Sequence, residues 1–276
     1  MKKILVTGGA GFIGGHLVDF LVSKNYDVLV IDNFSNGNYK NEKATYNNID
    51  VRDLTKDLLY DVDTVYHLAG ILDVENSKTN PLLYLEENST ATYKLLDLCT
   101  HSGVRKFIYA SSCASAFPYS SPYALSKYLP ELYCKTYNDI FDIDTTSLRF
   151  FNVYGTRMKH SGYKLVLSIF LEQFKNNKPL TIINDGKQKR DFVHIDDVVS
   201  ALYKSKDINT NAEVFDIGAG VTSSILDLVD MFGCEYEFIG KRKEEEIAFS
   251  DIEKTKKILN WKPKHNLKDF IECVKE

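Results

Sequence analysis

Thr7-Gly8-Gly9-Ala10-Gly11-Phe12-Ile13-Gly14 follows directly on the apolar run Ile4-Leu5-Val6. The glycines at 8, 11 and 14 stand where a buried strand must turn into a helix. Gly8 permits the tight turn, Gly11 lets a pyrophosphate approach the backbone, and Gly14 lets the helix pack close to the strand. The helix that follows, over residues 14–23, aims the positive end of its dipole at the phosphates. A second apolar strand, Asp27-Val28-Leu29-Val30-Ile31, ends in Asp32, 24 positions beyond Gly8. A carboxylate there accepts hydrogen bonds from the adenosine ribose of a dinucleotide and repels a 2′-phosphate, which favours NAD over NADP.

Outward from this loop, strand-like runs at 28–31, 64–68, 106–110 and 145–149 alternate with helical stretches, among them amphipathic segments at 81–100 and 123–138. That alternation predicts an α/β chain: a Rossmann-type doubly wound parallel sheet with helices on both faces. After about residue 155 the pattern becomes mixed, with a helix near 164–175, short strands near 180–183 and 215–217, and Trp261-Lys262-Pro263 between two terminal helices. The expected division is an NAD-binding unit over 1–155 that also carries the catalytic residues, and a smaller lobe over 156–276. Some segments of that lobe return to the sheet, and the lobe closes over the carboxyl ends of the strands, where such sheets bind ligands.

Bulk properties narrow the function classes. A chain of 276 residues with 44% hydrophobic content can bury a substantial core, and a net charge of −4 argues against nucleic-acid or membrane-surface binding. No stretch approaches the roughly 18 apolar residues of a spanning helix. The five cysteines (Cys99, Cys113, Cys134, Cys234, Cys273) are odd in number and show no CxxC spacing, which points to a reducing, cytoplasmic setting rather than to disulfides or zinc. His67, His160 and His194 read as structural or peripheral; no metal-ligand spacing connects them, and no metal is expected. Asn88-Ser89-Thr90 matches a glycosylation pattern but falls within a predicted cytoplasmic helix.

Tyr123-Ala124-Leu125-Ser126-Lys127 places Tyr123 and Lys127 at i and i+4, on one face of a helix. An ammonium beside a phenol favours the phenolate, lowering a pKa that starts near about 10. A tyrosine so poised can take a proton from a sugar hydroxyl while a nicotinamide takes the hydride. Upstream, the strand ending in Tyr109-Ala110-Ser111-Ser112 supplies a serine that can hold the substrate oxygen.

With these residues in hand, the chain resembles the extended short-chain dehydrogenase/reductases of the NAD-dependent nucleotide-sugar epimerase/dehydratase family. Matching segments run nearly end to end, from the loop at 7–14 through His67-Leu68-Ala69-Gly70, Tyr123…Lys127, Leu148-Arg149-Phe150-Phe151-Asn152-Val153-Tyr154-Gly155 and Arg190-Asp191-Phe192-Val193-His194 to Trp261-Lys262-Pro263. The resemblance implies Gly8, Gly11, Phe12 and Ile13 at the pyrophosphate, Asp32, Asn33 and Asn36 at the adenosine ribose, and Asp50 and Val51 at the adenine. Leu68, Ala69 and Gly70 pass beneath the cofactor. Ser112, rather than Ser111, joins Tyr123 and Lys127 as catalytic, and the last two also touch the cofactor. Asn152 is implied at the sugar diphosphate and Arg190 as a phosphate clamp, a role that suits a guanidinium fork. Arg242 is either a second clamp or part of the solvated charge run at 241–246. A homodimer built on the helices at 81–100 and 123–138 is implied as well.

The chain departs from the family between Ser112 and Tyr123, which are only 11 positions apart where relatives carry a longer segment of substrate wall. Cys113 follows the serine, as in epimerase/reductases of the GDP-fucose synthase type, where the cysteine transfers protons; a small buried hydrophobe is the plainer reading. Dehydratases of the family place Asp-Glu after the active serine or threonine, but Cys113 and Ala114 stand here. The glutamate of the decarboxylases is missing too. What remains, Tyr, Lys, Ser and a held NAD, suffices for 4-epimerisation, with a UDP-linked sugar favoured. An NAD(P)-dependent reductase or epimerase/reductase of keto-deoxy sugar nucleotides, with Cys113 active, is the alternative. The resemblance also sets Ala248 beside the sugar C2 substituent, where a small residue leaves room for an acetamido group.

Overall fold

The computed structural model describes residues 2–158, 165–241 and 247–275. Its strands are β1 (Lys3–Thr7), β2 (Asp27–Asp32), β3 (Thr45–Asn48), β4 (Val62–His67), β5 (Lys106–Ser112), β6 (Asp144–Phe150), β7 (Asn152–Tyr154), β8 (Leu180–Ile182), β9 (Lys189–His194), β10 (Val214–Ile217), β11 (Thr222–Ser224), β12 (Tyr236–Phe238) and β13 (Ile247–Ala248). Seven of them form one parallel sheet in the order β10-β6-β5-β4-β1-β2-β3. The chain travels outward from β1 to β3 and then crosses back to β4. The reversal between β1 and β4 opens the crevice at their carboxyl ends.

Successive residues of β1 enter opposite cores. Ile4 and Val6 pack with Leu17, Val18, Val198 and Leu202 of the helices Phe12–Ser23 and Ile195–Ser205. Leu5 packs with Leu95, Leu96 and Tyr137 of the helices Ala91–Thr100 and Pro122–Phe141. A strand covered on both faces has no polar side, which is why these runs are continuously apolar. Each such side chain contributes about 1.5–3 kcal/mol on full burial.

The amphipathic stretch at 81–100 is helical in three successive pieces: Pro81–Tyr84, a wider π-helical segment Leu85–Thr90, and Ala91–Thr100. The local cause is a set of ties made within the widened segment. The Asn88 side chain accepts from the Ile71 N–H (2.9 Å) and donates to the Ile71 carbonyl and to Ser126 Oγ (both 3.0 Å). Beside it, Pro130 interrupts the helix Pro122–Phe141 and has no N–H to offer the Ser126 carbonyl. Ser89 Oγ donates to that carbonyl instead, at 2.9 Å. The π turns thus sit where the partner helix needs a donor, directly beside Lys127.

Past β6 the chain leaves the main sheet. β7, β11 and β13 all pair with β9, and β8 pairs with β12. The helix expected at 164–175 is observed as Val166–Lys175, and its Phe170 and Leu171 pack with Phe192, Leu228, Phe232 and Ile271 in a third core. β10 and the helix Ile195–Ser205 also lie beyond residue 155, yet both pack with the main sheet.

Candidate active site

The glycine loop has the shape its spacing requires. Gly8 has φ +71°, and a Cβ there would stand 2.7 Å from the Ala69 nitrogen. At Gly14 a Cβ would lie 2.1 Å from the Gly8 carbonyl oxygen, so the helix can begin this close to the strand only without a side chain. No side chain caps the helix Phe12–Ser23, and no acidic residue occupies its first turn. Its leading amides are therefore available to an anion.

Asp32, buried at the end of β2, accepts from the Ala10 N–H and the Phe34 N–H, each at 2.8 Å and each on a different carboxylate oxygen. Each oxygen keeps capacity for a further donor. Asn33 donates to Asp50 (2.9 Å), and Arg52 grips the Asp50 carboxylate with Nε and Nη2, both at 2.8 Å. That guanidinium holds the Asp50 carboxyl far below the usual range. Val51 is buried at the start of the adjoining turn, whereas Asn36 is exposed on the loop after β2. Leu68 continues alongside β1, its N–H donating to the Thr7 carbonyl at 3.1 Å. Ala69 follows at the Gly8 turn, and a Cβ on Gly70 would lie 4.0 Å from Lys127 Nζ. The cradle, the uncapped amides and the carboxylate at the end of β2 together fit NAD.

The catalytic candidates stand at the end of β5 and on the helix Pro122–Phe141 that follows it. Lys127 Nζ donates to the Ala110 carbonyl at 2.6 Å and lies 4.6 Å from the centre of the Tyr109 ring. Burial lowers its pKa to about 7, with the Glu131 carboxylate opposing the shift. Tyr123, one turn earlier, is buried against the edge of Tyr84, ring centres 6.2 Å apart. The neighbouring serines of β5 part company. Ser111 Oγ donates to Glu131 Oε1 at 2.6 Å, inside the protein. Ser112 is only half-buried and accepts from the Ala114 N–H at 3.2 Å. Cys113 opens the 3-10 turn Cys113–Ala116, and Ser121 then caps the next helix by accepting from the Ala124 N–H at 3.1 Å. One turn and a cap span the short segment, and Phe117 and Tyr119 stand exposed on it.

On the lobe side, Asn152 Nδ2 donates to the Asp191 carbonyl at 2.9 Å. Arg190 is half-buried on β9, paired through the backbone with Ser223 and Ala248. Arg242, His160 and the Ala248 side chain lie outside the described residues. His67 bridges Thr7 Oγ1 (2.7 Å) and Thr92 Oγ1 (2.9 Å), and burial lowers its pKa to about 3, so it is a neutral structural group.

Several residues to which the sequence assigns no role organise the site. Glu131, almost fully buried, accepts from Ser111 and Ser115 (both 2.6 Å) and takes a fork from Arg149 at 2.9 and 2.7 Å. Its place at i+4 from Lys127 was the available signal. Asp191 accepts from Ser250 Oγ (2.5 Å) and from the Ala219 (2.6 Å) and Gly220 (3.0 Å) N–H groups, fastening the loop after β10 to β9. Arg157 stacks on Tyr39 at 4.1 Å, pairs with Asp19 at 2.9 Å and meets His16, clasping the phosphate-side helix to the turn after β7.

The model of the NAD dependent epimerase/dehydratase family matches residues 4–218. The chain belongs to that family. It is 38% identical to a putative UDP-glucose 4-epimerase of Methanocaldococcus jannaschii, over 98% of this chain and 96% of that one. Among solved structures, it matches the UDP-glucose 4-epimerase of Thermotoga maritima with UDP-glucose at 30% identity and TM-score 0.91, covering 99% and 97% of the two chains. The UDP-glucuronic acid 4-epimerase of Bacillus cereus, in complex with UDP-glucuronic acid and NAD, matches at 31% and 0.89, covering 99% and 98%. As a member, this protein is an NAD-dependent enzyme of the epimerase type, and the Rossmann-type sheet expected from the glycine loop is the family's fold. No described helix is long and apolar enough to cross a membrane.

Proposed function

We propose that this chain is an NAD-dependent 4-epimerase of UDP-sugars, with residues 1–155 holding the cofactor and the chemistry and the remainder mainly holding the nucleotide sugar. One observation carries the reading: Lys127 donates to the Ala110 carbonyl of the strand that ends in Ser112, Tyr123 stands one turn earlier on the same helix, and Cys113 and Ala114 occupy the two positions after the serine. Dehydration needs an acid and a base there; C4 inversion does not. NAD bound in the cradle supplies a reversible two-electron acceptor for C4. Tyr123 takes the C4 hydroxyl proton and gives it back, with the Lys127 ammonium favouring its phenolate. Ser112 holds the C4 oxygen within reach of Tyr123. Gly8, Gly11, Phe12 and Ile13 hold the pyrophosphate, Asp32, Asn33 and Asn36 the ribose, Asp50 and Val51 the adenine, and Leu68, Ala69 and Gly70 the nicotinamide side. Asn152 and Arg190 hold the sugar diphosphate, with Arg242 a candidate second clamp.

The small residue at Ala248, paired with Arg190, supports acceptance of N-acetylhexosamines as well as hexoses. A solved UDP-N-acetylglucosamine 4-epimerase of Methanobrevibacter ruminantium, 30% identical with TM-score 0.91, is compatible with this. Exposed Leu82, Tyr93, Leu125, Leu132 and Ile140 on the helical stretches at 81–100 and 122–141 support a homodimer through those faces, and the odd number of cysteines, with no CxxC spacing, supports a cytoplasmic setting. A charged Leu132→Glu variant is expected to be monomeric by light scattering.

The deciding experiment incubates the purified protein, without added cofactor, with UDP-, dTDP- and GDP-sugars and reads C4 inversion by NMR. Interconversion of UDP-Glc/Gal and UDP-GlcNAc/GalNAc supports the reading. Activity on the plain hexoses alone removes the acetamido part. Stoichiometric oxidation of NADH or NADPH by a keto-sugar nucleotide, without epimerisation, replaces the reading with the reductase.

A further inference from the structure

The proposed chemistry makes no use of a histidine–carboxylate cluster where the C-terminal segment meets the end of β9. His194 ends β9 and caps the helix Ile195–Ser205, its Nδ1 accepting from the Asp196 N–H at 3.2 Å. His265 arrives from the segment after Trp261, and the two imidazoles stack with centroids 4.3 Å apart and planes 26° from parallel. Asp196 Oδ2 stands 3.6 Å from His194 Nδ1 and 3.9 Å from His265 Nε2. One ligand atom from each of the three lies within 4.8 Å of the others.

A fourth group orients this cluster from behind. Asp197, buried, places Oδ2 3.1 Å from His265 Nδ1 and accepts from the Lys264 and His265 backbone N–H groups, both at 3.0 Å. A carboxylate at Nδ1 keeps the ring proton there and leaves Nε2 basic, on the side of Asp196. A carboxylate behind a histidine is also the usual support of a metal-ligating imidazole.

We propose that His194, Asp196 and His265 form a site for a borderline divalent transition ion such as Zn²⁺, with Asp197 positioning His265. Two imidazole nitrogens and one carboxylate oxygen suit Zn²⁺, Co²⁺ or Ni²⁺; Mg²⁺ and Ca²⁺ prefer oxygen alone. With bonds of about 2.0–2.1 Å, the edges of a tetrahedral site are about 3.3 Å. The two edges at Asp196 therefore close by roughly half an ångström and the longest edge by up to about 1.5 Å, movements open to the exposed Asp196 and His265 side chains. The His194 nitrogen that faces Asp196 Oδ2 is Nδ1, so ligation there takes the lone pair that now accepts from the Asp196 N–H. The helix N-terminus opposes a cation, and the two aspartates supply the compensating charge. The ion would fasten the C-terminal segment to the end of β9, whose Arg190 and Asp191 shape the lobe. Its role is structural, because none of its ligands belongs to the assigned catalytic or binding groups.

The test uses the full, tag-free, NAD-loaded protein after chelator treatment, titrated calorimetrically with ZnCl₂ and separately with MgCl₂. Thermal unfolding and the visible spectrum with CoCl₂ run in parallel. Expected are one Zn²⁺ per chain in the micromolar range, no Mg²⁺ binding, and a cobalt spectrum of low coordination number. At a hundredfold excess of Zn²⁺ over its Kd the unfolding constant falls about 100-fold. His265→Ala and Asp196→Asn each weaken Zn²⁺ at least about tenfold and so cut the thermal shift by about half or more, while metal-free turnover stays at the parent level; Cys113→Ser and Cys273→Ser keep the binding. Absence of saturable Zn²⁺ binding, binding unchanged in His265→Ala and Asp196→Asn, or equal binding of Mg²⁺ would overturn the proposal.

Discussion

Glu131→Gln is the perturbation with the largest consequence that the site geometry lets one calculate. The carboxylate takes four hydrogen bonds at 2.6–2.9 Å, two of them from the Arg149 fork, and both partners are mostly buried. Glutamine keeps the shape but presents an NH₂ either to Arg149 Nη2 or to Arg149 Nε beside the two serines, so at least one donor faces a donor. It also leaves the guanidinium without the partner that offsets its burial. Breaking a buried pair from one side costs about 3–5 kcal/mol. Urea unfolding, followed by far-UV circular dichroism and by the fluorescence of the single, buried Trp261, measures the loss. Glu131→Leu combined with Arg149→Met removes both charges and should recover most of it, because the pair's net worth is small compared with the cost of orphaning one member. The same carboxylate supports the charged form of Lys127. In Glu131→Gln the Lys127 pKa therefore falls further, and the alkaline limb of the kcat/KM profile moves to lower pH. A Glu131→Gln protein within about 1 kcal/mol of the parent, with an unmoved pH profile, would refute the view that this carboxylate couples the fold to the site.

Three further outcomes follow from the same geometry. Gly14→Ala drives a methyl to 2.1 Å from the Gly8 carbonyl oxygen, and fluorescence titration with NADH should show affinity reduced more than about tenfold. Tyr123→Phe keeps the packing against Tyr84 but removes the hydroxyl proposed to carry the proton. Its kcat should fall about 10²–10⁴-fold while NADH titration stays near the parent value. His67 titrates near 3 when folded against about 6.5 unfolded, so its contribution is present above 6.5 and is lost as pH falls below it. Between pH 7 and pH 5 it removes about 2 kcal/mol of stability, and His67→Gln should lose correspondingly less over that interval in urea unfolding.

Legibility in the sequence followed the range of the forces involved. The loop at 7–14, the strand ends at Asp32 and Ser112 and the Tyr123/Lys127 pair each depend on neighbours a few positions away, where backbone sterics and helix periodicity act. The continuous apolar runs of β1 and β2 suit a sheet buried on both faces for the same reason. Even there, local pattern missed the π turns at Leu85–Thr90, because they answer a carbonyl freed by Pro130 on another helix. Glu131 was passed over although it stands one turn from Lys127, since a lone glutamate on a helix resembles any solvated residue until Arg149, Ser111 and Ser115 are seen to close around it.

By itself, then, the sequence determined that a dinucleotide-binding glycine loop follows β1, which helix carries Tyr123 and Lys127, and that no carboxylate directly follows Ser112. Each of these is a statement about a residue and its near neighbours. Only the tertiary structure decided which of two adjacent serines turns inward, which arginine clasps the phosphate-side helix, and that His265 comes to rest on His194. Those outcomes depend on strand order and on the path of the C-terminal segment. Both are set by burying three apolar cores at once, a sum over the whole chain that no local window contains.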